Sequence, residues 1–171
     1  KNGVDWHNHL IFGDNLQVLK TLLQMKADGK LVNADGMPGV RLIYIDPPFA
    51  TKRDFKGTQD QKAYQDKIAG ADFLEFLRKR LVLIHELLSD DGSIYIHLDW
   101  KKGHYAKVLL DEIFGENNFV REIIWDRMNP SGGKAAADNW IHTHDIIYFY
   151  SKSQTKVFNK QYEPYSEEYI A

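Results

Sequence analysis

Between Ala71 and Leu88 the chain repeats large apolar side chains at Phe73, Phe76, Leu77, Leu81, Ile84, Leu87 and Leu88. That stripe has a period of about 3.6, which predicts an amphipathic helix, and Asp91-Gly92 supplies a stop signal. Short, nearly continuous apolar runs flank it: VRLIYI at Val40–Ile45 before, and SIYIHL at Ser93–Leu98 after. Runs of that kind are strands with both faces covered by helices. A strand, a helix and a strand in this order constrain the fold to an α/β parallel sheet.

The same rhythm extends in both directions. HLIF (His9–Phe12) is a short strand candidate, and Leu16, Leu19, Leu22 and Leu23 follow at helical spacing. The Gly-rich stretch from Ala27 to Gly39 breaks that helix into a surface loop. KKGHYAKVLLDEIFG predicts a further helix with Val108, Leu109 and Ile113 inward and Gly115 at its end. FVREIIW and DIIYFYSK read as two last strands. No helical pattern separates them, so that end of the sheet is expected to be an antiparallel edge hairpin. The stretches from Lys52 to Gly70 and from Asp126 to His144 are polar and unperiodic. Long loops of that kind in compact domains are usually functional.

Composition narrows the classes. At 171 residues the chain is one domain's worth. The 22 Lys and Arg against 24 Asp and Glu argue against a surface that is a polyanion clamp throughout. With no cysteine, disulfides and thiolate metal sites are excluded, and a reducing compartment is the default. No apolar run approaches the roughly 20 residues of a membrane-spanning helix, and no signal-peptide pattern opens the chain. The expected location is therefore the cytoplasm.

VRLIYI runs straight into Asp46-Pro47-Pro48-Phe49. In parallel sheets, ligands sit beyond the carboxyl ends of the strands. Two consecutive prolines fix two φ angles and remove two backbone donors. They also hold Asp46 and Pro47 extended, so the segment leaves the strand as a stiff rim. The Asp46 carboxylate and the Pro47 carbonyl become two fixed acceptors beside the Phe49 ring. That set suits a flat molecule carrying an amino group. The bland alternative is a strand-ending turn with a capping Asp and a buried Phe.

The tetrapeptide DPPF resembles the [DNS]-P-P-[YFW] signature of amino-group methyltransferases acting on adenine N6 or cytosine N4. The resemblance extends to LIFGDNLQVLKTL before it and FLRKRLVLIHELLSDDGSIYIHLDW after it, and on to HYAKVLLDEIFGENNFVREIIWDRMNPSGGKAA and HTHDIIYFYSKS. It covers essentially the whole chain. The β-type motif order is implied, as in the Mod subunits of type III restriction-modification systems. With it comes a Rossmann-like S-adenosylmethionine-dependent methyltransferase sheet, mostly parallel with an antiparallel edge hairpin.

The resemblance implies that Asp46, Pro47, Pro48 and Phe49 are catalytic. It also implies that Asp14, in Gly13-Asp14-Asn15, borders the adenine of S-adenosylmethionine, a role compatible with the helix N-cap that the residues alone indicate. Asp rather than Ser ahead of the prolines favours adenine N6, with cytosine N4, RNA adenine or protein glutamine as alternatives. Double-stranded DNA is the implied partner, with a restriction subunit or a homodimer as further ones. The β-type order places the target-recognition region and a Gly-rich F-x-G-x-G cofactor motif later, and no F-x-G-x-G occurs in these residues. Residues 1–171 are therefore expected to be the catalytic part of an incomplete domain. An inert fragment or nucleic-acid-binding module is the competing reading.

Of the remaining signals, Lys52–Lys67 reads as a solvated loop or a phosphate contact, and Arg78-Lys79-Arg80 as a solvated helix face. Asp99-Trp100 reads as a strand-end turn or a wall of the base pocket. The His7/His9 and His142/His144 pairs lack the spaced further ligands of a metal site, so no metal is expected.

Overall fold

The computed structural model describes residues 7–47, 71–127, 140–162 and 164. Its core is the predicted stripe. Helix α2 (Ala71–Leu87) buries Phe73, Leu77, Leu81, Ile84 and Leu87 against the sheet. Fully burying one such side chain contributes about 1.5–3 kcal/mol. The first helix, α1 (Asn15–Ala27), packs against α2 with no residue of its own fully buried. Strand β1 (Val40–Ile45) falls on the predicted run.

Helix α2 passes into strand β2 (Leu88–Leu98) without a loop. The helix therefore ends before the Asp91-Gly92 stop, and Leu88–Asp91 belong to the strand. Two lysines from distant segments make this transition possible. Lys26 Nζ donates to the carbonyls of Glu86 and Leu88 at 2.6 and 2.8 Å. Lys152 Nζ donates to the Leu88 carbonyl at 2.9 Å. Cations on the last carbonyls satisfy acceptors that a helix leaves open and complement its dipole.

Helix α3 (Gly103–Phe114) follows and stops at Gly115, whose φ is +86°. Leu109 and Leu110 are its inward pair, whereas Val108 is 68% exposed. The predicted inward position thus lies one residue off the true seam. A short 3₁₀ turn (Glu116–Asn118) leads to β3 (Phe119–Asp126), and β4 (His144–Ser151) closes the sheet.

The strand order is β1-β2-β4-β3. β1 and β2 run parallel, with Tyr44 opposite Tyr95 and Ile45 opposite Ile96. β4 is antiparallel to both β2 and β3, so the expected edge hairpin is present. The α/β class holds, with one parallel pair among the described strands. Ile94, Ile96, Leu98, Tyr148 and Tyr150 point into the core under α2 and α3. The other face carries Leu42, Tyr44 and Trp125, each more than half exposed, and a Tyr95–Phe149 stack at 4.4 Å. His9–Phe12 form no strand. Leu10 and Phe12 are almost fully exposed, and no described strand pairs with them. An apolar quartet becomes a strand only where a neighbouring edge is available to it.

Two core tyrosines make the fold sensitive to alkali. Burial, assisted by Glu122, pushes Tyr148 from 10.0 up to about 12. Burial also raises Tyr150, whose hydroxyl donates to Asp111 Oδ1 at 2.6 Å. Unfolded tyrosines lose their protons near pH 10 while these folded ones keep theirs, so the folded state binds more protons there. Stability from this source is complete below about pH 10 and is lost as pH rises through the folded values. Denaturant midpoints should fall steeply above that pH, and less steeply in Tyr148→Phe.

Candidate active site

The carboxyl ends of β1 and β2 lie side by side because the two strands are parallel and in register through Ile45 and Ile96. Asp46 and Pro47 continue directly from β1 at this edge. Asp46 is exposed and Pro47 is buried. Among the described residues the Asp46 carboxylate has no hydrogen-bond partner, which leaves it open to accept from a ligand. Pro48 and Phe49 lie outside the described residues, as do Lys52–Lys67 and most of the loop from Asn129 to Trp140.

Asp46 and Pro47 form the mouth of a cavity of about 420 Å³ between β1, α1 and α2. Its floor is apolar, with Val18, Leu19, Leu22 and Ile43 among its walls, while Asn15 and Arg80 stand with Asp46 as its polar members. The structure therefore brings Asn15, the residue after Asp14, and the Asp46-Pro47 rim to one cavity.

Asp14 is a helix N-cap. Its backbone is extended (φ −66°, ψ 121°), and Oδ1 accepts from the Leu16 and Gln17 amides at 2.9 and 3.3 Å. A carboxylate at a helix N-terminus is stabilised by the orphan amides and the dipole. Capping occupies Oδ1, and Oδ2 sits 3.9 Å from Arg80.

Arg80 corrects the sequence reading. It is buried, not a solvated face. Its Nε donates to Asn15 Oδ1 at 2.7 Å and one terminal nitrogen donates to the Phe76 carbonyl at 2.9 Å. The guanidinium lies 3.4 Å from the Phe76 ring centroid. Arg80 thus ties the Asp14-Asn15 turn to α2 and fixes one side of the opening. Its spacing from Leu77 and Ile84 places it on the apolar stripe, and that spacing was the available signal.

Asp99 behaves as a strand-end turn. Its Oδ1 accepts from the Lys102 amide at 3.1 Å, and its carbonyl accepts from the Gly103 amide at 3.0 Å. A second polar group lies on the open sheet face. Tyr44 Oη meets His97 Nδ1 at 3.1 Å, His97 Nε2 meets Asp145 at 3.4 Å, and Arg127 donates to Asp145 at 3.2 Å. Sequence reasoning missed this network, because its members come from four segments far apart in the chain.

Over 164 residues the chain is 35% identical to the type II methyltransferase M.EcaI of Enterobacter cloacae, covering 96% of this chain and 33% of that protein. It is 32% identical to the StyLTI Mod subunit, a type III restriction-modification enzyme of Salmonella typhimurium, covering 96% and 26%. The chain thus spans a third or less of these curated relatives. Among solved structures, the M1.HpyAVI complex with SAM superposes with a TM-score of 0.54 at 21% identity, covering 91% of this chain and 60% of that one. The cytosine-N4-specific PvuII DNA methyltransferase superposes at 0.53 and 16% identity, covering 85% and 49%. At those identities the two structures speak for the fold. Residues 40–170 match the family model described as DNA methylase, of the N6/N4 methyltransferase type, and the chain belongs to that family.

Proposed function

We propose that this chain is the catalytic part of a site-specific DNA methyltransferase that moves a methyl group from S-adenosylmethionine to the exocyclic N6 of an adenine. The observation that carries the reading is the Asp46-Pro47 rim at the carboxyl edge, lining the same cavity as Asn15 at the start of α1. Membership of the DNA methylase family supports it. Asp at position 46, rather than Ser, favours adenine over cytosine.

An exocyclic amine is a poor nucleophile because its lone pair is delocalised into the ring. Asp46 and the Pro47 carbonyl accept its two N–H bonds and turn the lone pair out of the ring plane. Positive charge develops on that nitrogen during transfer, and two fixed acceptors stabilise it more in the transition state than in the ground state. The surplus proton then leaves along the Asp46 hydrogen bond, and the exposure of Asp46 gives it a route to solvent. The target amine is out of reach inside a duplex, so the base is turned out of the stack. Phe49 is the ring assigned to its face, where stacking contributes about 1–3 kcal/mol.

The residues present fit the adenosine end of the cofactor. Asn15 lines the cavity beside Val18 and Leu19, and the adjacent Asp14 keeps Oδ2 clear of the capping amides as an acceptor for an adenine amino group. When bound, S-adenosylmethionine supplies an electrophilic methyl group on a sulfonium.

The test is a methyl-transfer assay with labelled cofactor on unmethylated DNA, using the full-length protein, followed by nucleoside analysis. Label in N6-methyladenine is expected. Label in N4-methylcytosine would move the target base. Label on RNA alone would change the substrate, and no label on any nucleic acid would leave a binding module.

A further inference from the structure

Two segments that are distant in sequence meet at the carboxyl edge: residues 99–105 after β2 and 140–144 before β4. Trp100 and His142 stack there face to face, with centroids 3.9 Å apart and planes within 7°. Lys101 Nζ lies 5.6 Å from the Trp100 ring centroid. Next to them Lys102 Nζ stands 5.6 Å from the Tyr105 ring centroid, and His104 leans on Tyr105 at 4.2 Å. Trp100 is 40% exposed, Tyr105 52% and Trp140 95%. Such rings contribute little to the core, and they gather where the Asp46 rim emerges.

Of the carboxylates at this edge, two are engaged within the fold and two face solvent. Asp99 is buried and accepts from the Lys102 and Gly103 amides within the turn, and Asp145 is held by Arg127 and His97. Asp126 and Asp46 are the exposed ones. Flat faces interleaved with ammonium groups suit unstacked nucleobases on a phosphate backbone, since any base offers a π-face and each phosphate a counter-charge.

We infer that the Trp100–His142 stack, with Lys101 and Lys102, is a platform for a nucleobase of the substrate DNA other than the target, exposed where the duplex opens. Trp100 takes the face of that base, and the lysines hold the flanking phosphates. This deepens the DNA reading above and rests on it for the identity of the strand.

The test is fluorescence anisotropy on the full-length protein with two labelled probes: a short single-stranded DNA, and an equally long strand with abasic spacers at every position. Trp100→Ala should weaken the base-bearing strand about tenfold and leave the abasic strand unchanged. Trp100→Phe should keep most of the affinity. Lys101→Ala should weaken both strands and flatten their salt dependence. Equal loss on both strands with Trp100→Ala, or no loss on either, would overturn the platform. If Trp100→Ala fails to fold, His142→Ala decides by the same two probes: it should weaken the base-bearing strand alone, and equal loss on both strands or no loss on either would overturn the platform. The two readings fail separately. A wild-type protein that labels DNA while Trp100→Ala binds both probes normally loses the platform alone. One that binds through Trp100 yet labels nothing loses the methyltransferase reading alone.

Discussion

Asp46→Ala is expected to lower kcat for methyl transfer to DNA by about 10²- to 10³-fold, roughly 2.7–4 kcal/mol of transition-state stabilisation. The loss belongs in kcat because the Asp46 acceptor matters most when the amine carries developing positive charge. KM for DNA should change little, so kcat and kcat/KM should fall together. Asp46→Asn keeps an acceptor oxygen but not its charge. Charge-assisted hydrogen bonds are about twice as strong as neutral ones, so this variant should lie between wild type and alanine. Folding is a small confounder, since Asp46 is exposed and has no hydrogen-bond partner among the described residues. Steady-state kinetics with labelled cofactor, beside DNA-binding anisotropy, separates the outcomes. An alanine variant with undiminished kcat would remove Asp46 from the chemistry. A loss confined to KM would make it a binding residue.

What could be read in advance follows from the range of the forces involved. β1, α2 and the end of β2 were legible because apolar periodicity is local and burial enforces it: Phe73, Leu77 and Leu81 are almost wholly inaccessible. The Asp46-Pro47 rim was legible because proline acts on its own neighbours. Contacts closed by distant segments were not. The start of β2 depends on Lys26 and Lys152 reaching the carbonyls around Leu88, more than sixty positions away in each case. Arg80 was misread because its two charged neighbours suggested a solvated face, yet its phase on the helix follows Leu77. In the sequence His142 stands out only as one of a His pair two positions apart. Its stacking with Trp100 needs both strand ends at one edge, and sequence order alone does not supply that arrangement.

Gly39→Ala should lower stability by about 2–6 kcal/mol, from two costs that add. The backbone at Gly39 has φ +100°, a region costing a residue with a side chain about 1–3 kcal/mol. An added Cβ would stand 2.5 Å from the Leu87 carbonyl oxygen and 2.9 Å from the Ser89 nitrogen. Both are main-chain atoms at the α2–β2 junction, so no side chain can swing aside, and overpacking adds about 1–3 kcal/mol. The Gly39 amide is also held by the Leu31 carbonyl at 2.9 Å, which prevents the loop from backing away. A shift in urea midpoint of about 1–2 M is expected for a two-state transition. Gly29→Ala is the control. Its φ is +69° with nothing within 4 Å of the added Cβ, so only the backbone cost of about 1 kcal/mol applies. Equal midpoints for the two variants would show that close approach at Gly39 does not matter. The consequence reaches the site, because Gly39 leads into β1 and β1 sets where Asp46 stands against β2. A displacement of about 1 Å at a reacting centre can cost 10²-fold in rate. Gly39→Ala should therefore lose activity at temperatures where it remains folded, whereas Gly29→Ala should not.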